Sequence, residues 1–186
     1  MNGRWLPNAI SFARIALVIP VAWSILHGED QTALVLIIIA ALSDALDGLL
    51  AKGFGWTTDF GAILDSIADK VFMAGSFIAA LWVGLIPLWI TVIVVARDAI
   101  IVTGALIYHL HVGDFKPQPS ALSKVNTFLQ LLLVLAVVAQ HYTPGLPRGT
   151  VLALVVAVTI TTLGSGVDYF IRWGRRLAHA PRRRPA

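Results

Sequence analysis

Four carboxylates interrupt an otherwise apolar part of the chain: Asp44, Asp47, Asp65 and Asp69, in SDALDGLLAKGFGWTTDFGAILDSIADK, residues 43–70. Carboxylates are costly to bury in hydrocarbon and usually mark a functional site there. Asp44 and Asp47 are three positions apart, and Asp65 and Asp69 four, so on helices each pair shares a face. Residues 53–60 join the two pairs, with Gly53 and Gly55 easing a tight reversal, which predicts two antiparallel neighbouring helices. With Lys52 and Gly61 as inner ends, a rise of about 1.5 Å per residue sets Asp44 and Asp69 about 12 Å deep and Asp47 and Asp65 about 6–8 Å deep. Four bare negative charges brought together there would repel one another, and divalent cations would cancel that repulsion. A carboxylate-only set favours hard ions, Mg²⁺ or Mn²⁺, over zinc, and four carboxylates can hold two such ions. The chemistry that fits is two-metal phosphoryl transfer on a pyrophosphate. A spare carboxylate can take the proton from an attacking hydroxyl. The plainer alternative, a helix pair held by a structural ion, must bear the cost of four buried aspartates.

The elements that position these residues are membrane spans. The 186 residues are 58% hydrophobic and 13% charged, too apolar for an ordinary soluble domain. The length suits a single membrane domain, 1–186. There is no cysteine, which excludes disulfide and thiolate chemistry. Apolar runs predict an all-α protein of six transmembrane helices at about 9–27, 32–52, 61–83, 87–111, 122–141 and 150–172. The breaks carry turn chemistry: HGEDQ, KGFGWTTD, VGLIP, HVGDFKPQPS and HYTPGLPRG. MNGRWLPN runs straight into apolar sequence with no cleavage site, so the first span is expected to stay as an anchor. With the N-terminus inside, the inner segments carry Arg4, Lys52, Lys116, Arg172, Arg175, Arg176, Arg182, Arg183 and Arg184, and the outer loops only Arg148. That asymmetry predicts N-in, C-in topology. It places the aspartates in the inner leaflet. The basic tail RWGRRLAHAPRRRPA is read as a topology signal or a holder of anionic headgroups. Its position beside an apolar segment gives no reason to expect a nucleic-acid partner.

Small residues accompany the charges: Gly48 and Ala51 flank Asp47, and Gly61 lies one turn before Asp65. They let helices approach closely, and they also leave room for a ligand beside the metals. The whole stretch resembles the signature of the CDP-alcohol phosphatidyltransferases, D-x-x-D-G-x-x-A-R-x₈-G-x₃-D-x₃-D, here Asp44, Asp47, Gly48, Ala51, Lys52, Gly61, Asp65 and Asp69 with every spacing kept. The resemblance covers nearly the whole chain, because family members have six helices with this motif across the second and third. It implies transfer of a phosphatidyl group from CDP-diacylglycerol to an alcohol with release of CMP. It also implies two metal ions among the four aspartates, with Asp69 as general base and Gly48, Ala51 and Gly61 making space for the cytidine diphosphate. A homodimer and the bacterial cytoplasmic membrane, with the site facing the cytoplasm, are implied with it. The chain departs from the pattern at Lys52, where the family has arginine. Lysine keeps the charge and loses the bidentate fork, so pyrophosphate contact there should be weaker or differently aimed.

Other polar residues inside or beside the spans extend the expected site. LPNAISFARIALVIP resembles the family's N-terminal stretch and sets Asn8 and Arg14 near the inner surface. Arg97 and Asp98 lie inside the fourth span, and Lys124 and Asn126 open the fifth. Arg14, Arg97 and Lys124 are candidates for binding anionic headgroups. Arg97 with Asp98 reads equally as a buried structural pair, and Lys124 as an interfacial anchor. The histidines lack metal-ligand spacing, and Trp5, Trp82, Trp89 and Trp173 fit interfacial belts.

The acceptor is either phosphatidylglycerol, giving cardiolipin, or glycerol 3-phosphate, giving phosphatidylglycerophosphate. RDAIIVTGALIY and PSALSKVNTFLQLLLVLAVVA look more like the cardiolipin synthases of this superfamily. The glycerol 3-phosphate enzymes more often show R-E in the fourth helix and another arginine about two turns later, absent here from ALIYHL. Two other classes compete. An intramembrane prenyltransferase would normally need more helices and lacks the D-G-x-x-A spacing. A divalent-cation transporter would be expected to carry acidic residues in both leaflets.

Overall fold

The six apolar runs form six helices: α1 (Leu6–Leu26), α2 (Asp30–Phe54), α3 (Asp59–Trp82), α4 (Leu88–Val112), α5 (Ala121–Tyr142) and α6 (Thr150–Ala178). The computed structural model describes residues 6–54, 59–112, 120–143, 145–147 and 149–178, and no strand occurs among them. The helix breaks follow from local chemistry. Gly28, Gly84 and Gly149, at φ +71°, +78° and +102°, take left-handed turns between α1 and α2, α3 and α4, and α5 and α6. Glycine alone adopts that backbone cheaply. Ser120 caps α5, its hydroxyl accepting from Ser123 N at 3.1 Å, which satisfies a donor the helix start leaves free.

Among the described residues, Asn8–Leu26, Ala121–Tyr142 and Thr150–Ile171 are long and apolar enough to cross a membrane. The other three helices run 24 or 25 residues and carry charges within them. Large apolar side chains cover the outside: Ile19, Trp82, Ile160 and Phe170 are all well exposed. A water-facing surface would not sustain such a continuous apolar coat, and a lipid-facing one requires it. The chain is an integral membrane protein.

Helix α1 packs against both α3 and α2 along a stripe of Ser11, Arg14, Val18, Val21 and Ile25. At the α1–α3 crossing Val18 lies directly on Gly75, where a side chain would have no room. Small residues allow such backbone approach in membranes, where hydrophobic exclusion between helices is absent. Helix α5 packs against α6, α2 and α3, and α4 against α6 and α3. The apolar core joins them through Ile37, Phe77, Ile90, Val134, Val138 and Val158. Away from the aspartates, the start of α2 and the end of α5 are tied by His141 Nδ1 to Asp30 Oδ2 at 2.6 Å and by Tyr142 Oη donating to Gln31 at 3.3 Å.

The expected neighbouring of α2 and α3 is mediated through other helices. Among the described residues the two make no extended contact, and α1 and α5 each pack against both. An arginine of α1 joins a carboxylate of each, Asp44 of α2 and Asp65 of α3.

Candidate functional site

Arg14 sits eight residues into α1, about 12 Å along the helix. Asp44 lies ten residues before the end of α2 and Asp65 six after the start of α3, about 15 and 9 Å from the linked ends. The three therefore meet at comparable depth. Arg14 Nη2 lies 2.6 Å from Asp44 Oδ1, and Nη1 donates to Asp65 Oδ1 at 3.0 Å. The guanidinium is 2% exposed, whereas the two carboxylates are close to half exposed. The Asp44 contact is an ion pair without hydrogen-bond alignment, and Nε of Arg14 has no partner. Arg14 takes one oxygen of each carboxylate and so leaves the other oxygen of each to a further ligand.

Asp69 stands one turn beyond Asp65 on α3, partly buried. Among the described residues it makes no hydrogen bond or ion pair. A carboxylate so placed can take a proton from a hydroxyl. Asp47, Gly48, Ala51 and Lys52 lie on the helical backbone of α2, and their side chains fall outside the described residues. Gly61 is in the first turns of α3, and Asn8 is half-buried near the start of α1. Among the described residues no three acidic or histidine side chains form a metal-binding group. The donor chemistry still suits a hard divalent cation, since Asp44, Asp65 and Asp69 offer only carboxylate oxygen.

Behind Asp69 runs a second buried network. Lys70 Nζ lies 3.1 Å and Arg97 Nη1 2.6 Å from the same oxygen of Asp98. Arg97 Nε donates to Ser165 at 3.1 Å and Nη2 to Ser123 at 2.8 Å. The network ties α3, α4, α5 and α6, and it commits Arg97 to protein partners. Asn126 is fully buried on α5, its Oδ1 accepting from Thr161 and Thr162 of α6, each at 2.8 Å. Lys124 is exposed. Of the proposed phosphate ligands, then, Arg14 joins the aspartates, Arg97 is engaged in the network, and Lys124 stands at the surface. A cavity of about 450 Å³ between α4 and α6, lined by Ile93, Ile100, Leu163, Val167 and Phe170, is apolar. It lies on helices that carry none of the four aspartates.

Sequence reasoning overlooked Lys70, Ser123, Ser165, Thr161, Thr162 and Gln130. Lys70 could have been found, because any ionisable residue inside a span calls for a partner. The serines and threonines give no signal of their own, since each acquires its role from a residue 26 to 68 positions away.

The α-helical membrane bundle thus gathers carboxylates from two helices around an arginine from a third. The family model for CDP-alcohol phosphatidyltransferase matches residues 4–163, and the chain belongs to that family of phospholipid-synthesising enzymes. It is 33% identical over 129 residues to a cardiolipin synthase (CMP-forming) of Streptomyces coelicolor, covering 66% of this chain and 60% of that protein. It is 31% identical over 186 residues to a CDP-diacylglycerol–glycerol-3-phosphate 3-phosphatidyltransferase of Bacillus subtilis, covering 89% and 93%. A probable phosphatidylglycerophosphate synthase of Mycobacterium tuberculosis H37Rv is 28% identical over 174 residues, covering 90% and 80%.

Proposed function

We propose that the protein transfers the phosphatidyl group of CDP-diacylglycerol to the free hydroxyl of phosphatidylglycerol, forming cardiolipin and CMP. The observation that carries the reading is the Arg14 bridge between Asp44 and Asp65, which brings the two halves of the family motif to one place. The acceptor oxygen bonds to the phosphorus that bears diacylglycerol. The bond from that phosphorus to the bridging oxygen breaks, its electron pair leaves with CMP, and Asp69 takes the hydroxyl proton. Asp44, Asp47, Asp65 and Asp69 would hold two Mg²⁺ or Mn²⁺ ions. Such ions, when bound, neutralise pyrophosphate charge and stabilise the leaving oxygen. Arg14 offsets one of four motif charges, which leaves three for cations to balance. Gly48, Ala51 and Gly61 would admit the cytidine diphosphate, with Lys52 as a positive partner for the pyrophosphate. Six spans in N-in, C-in orientation, in a bacterial inner membrane, would turn the site toward the cytoplasm, and a homodimer is consistent with the family.

The described cations bear on the acceptor. Lys124 is exposed at the surface, whereas the cations inside the bundle, Arg14, Lys70 and Arg97, are each already paired with carboxylate. A lipid phosphodiester with one charge asks less of them than the doubly charged phosphate of glycerol 3-phosphate. The 93% coverage of the Bacillus relative favours the second reading, glycerol 3-phosphate as acceptor. Equal concentrations of both acceptors with labelled CDP-diacylglycerol separate the two. Label should collect mainly in cardiolipin, and label mainly in phosphatidylglycerophosphate overturns the choice of acceptor.

A further inference from the structure

We propose that Gln130 is a further binding residue of the same site, holding a hydroxyl group of the alcohol acceptor, an inference that rests on the transferase reading above. Gln130 follows Asn126 by one turn on α5, so the two share a helix face. Both are completely buried. Asn126 Nδ2 has no partner, and Gln130 has none at either Nε2 or Oε1. Buried amide atoms without partners are rare in native proteins, and each calls for an explanation. The demand is sharper in a bilayer, which offers no water from the side.

Register places these atoms at the depth of the aspartates. Gln130 lies nine residues into α5, about 14 Å from its inner end. Asp69 is ten residues into α3 and Asp44 ten before the end of α2, each about 15 Å. Helix α5 packs against both α2 and α3, so the three residues lie at one level of the bundle. A carboxamide offers a donor and an acceptor side by side without charge. That is the complement of a hydroxyl, which also donates and accepts. Cations would serve the phosphates, and a neutral amide suits the alcohol. Gln130 is sealed in this packing, so the proposal requires the side chains around it to part when the acceptor binds.

The test is Gln130→Leu in the full-length protein. Exchanging a partnerless amide for an apolar group of similar size removes nothing structural, so the melting temperature in detergent should hold or rise. With saturating CDP-diacylglycerol, kcat/KM for phosphatidylglycerol in mixed micelles, and for glycerol 3-phosphate in a parallel series, should fall at least about tenfold for whichever the wild type uses, while KM for CDP-diacylglycerol stays within about twofold. Gln130→Met, unbranched and closer in shape, gives the same readings should the leucine variant fold poorly. Unchanged kcat/KM for the alcohol in a well-folded variant overturns the proposal, as does an equal loss toward both substrates. A wild-type protein that releases no CMP with either acceptor instead overturns the transferase reading, and the role of Gln130 falls with it.

Discussion

Asparagine at position 69 keeps the shape of the side chain and removes its ability to take a proton. Asp69→Asn should therefore lower the turnover number by about 10²- to 10⁴-fold, the usual worth of a general base, and leave CDP-diacylglycerol binding within a few-fold of wild type. Single-turnover CMP release beside a binding titration checks both halves; near-normal turnover would place the base elsewhere. Lys70 and Asp98 make a contrasting pair. Asp98 answers two cations with one oxygen. Asp98→Asn leaves both cations unmatched in the bundle and should cost about 3–5 kcal/mol, as breaking a buried pair does. Lys70→Met leaves Arg97 paired with Asp98 and should cost much less. Thermal unfolding of the two variants in detergent orders them, and equal losses would contradict the shared-carboxylate account.

The crossing of α1 and α3 depends on Gly75, over which Val18 lies with no space between. Gly75→Leu would force the helices apart, an overpacking that costs about 1–3 kcal/mol. It should also carry Arg14 away from Asp44 and Asp65, so activity should fall further than stability alone explains. Comparing CMP release with the melting temperature tests this, and wild-type activity in the variant would show that Arg14 is not set by the crossing. The helices themselves were legible in the sequence, because length, hydropathy and turn residues are local signals: α1 through α5 start and stop within three residues of the apolar runs, while α6 continues to Ala178. That the two aspartate pairs should converge was legible from spacing, which set Asp44 level with Asp69, whereas Arg14 joins Asp44 to Asp65. The placement of α1 against both motif helices was not. It rests on Gly75 meeting Val18 and on Arg14 meeting partners 30 and 51 positions away, and neither leaves a periodic trace. His141, whose spacing gave it no metal-ligand pattern, is likewise tied to a distant residue, Asp30, 111 positions away.

At the scale of the whole molecule, an apolar coat surrounds a core that keeps its charges at a few levels and pairs most of them. That division suits an enzyme that takes a lipid laterally and performs polar chemistry within the bundle. Three of the four motif charges remain beyond what Arg14 offsets, so activity should vanish on exhaustive chelation and return with added Mg²⁺ or Mn²⁺. The most direct test of the central claim joins that dependence to the product. Purified full-length protein, CDP-diacylglycerol, phosphatidylglycerol and Mg²⁺ are incubated together, and CMP and labelled lipid are counted against each other. The account predicts one CMP for each phosphatidyl group transferred, with both lost on chelation. No CMP with either acceptor, or full activity after the metal is stripped, would contradict it.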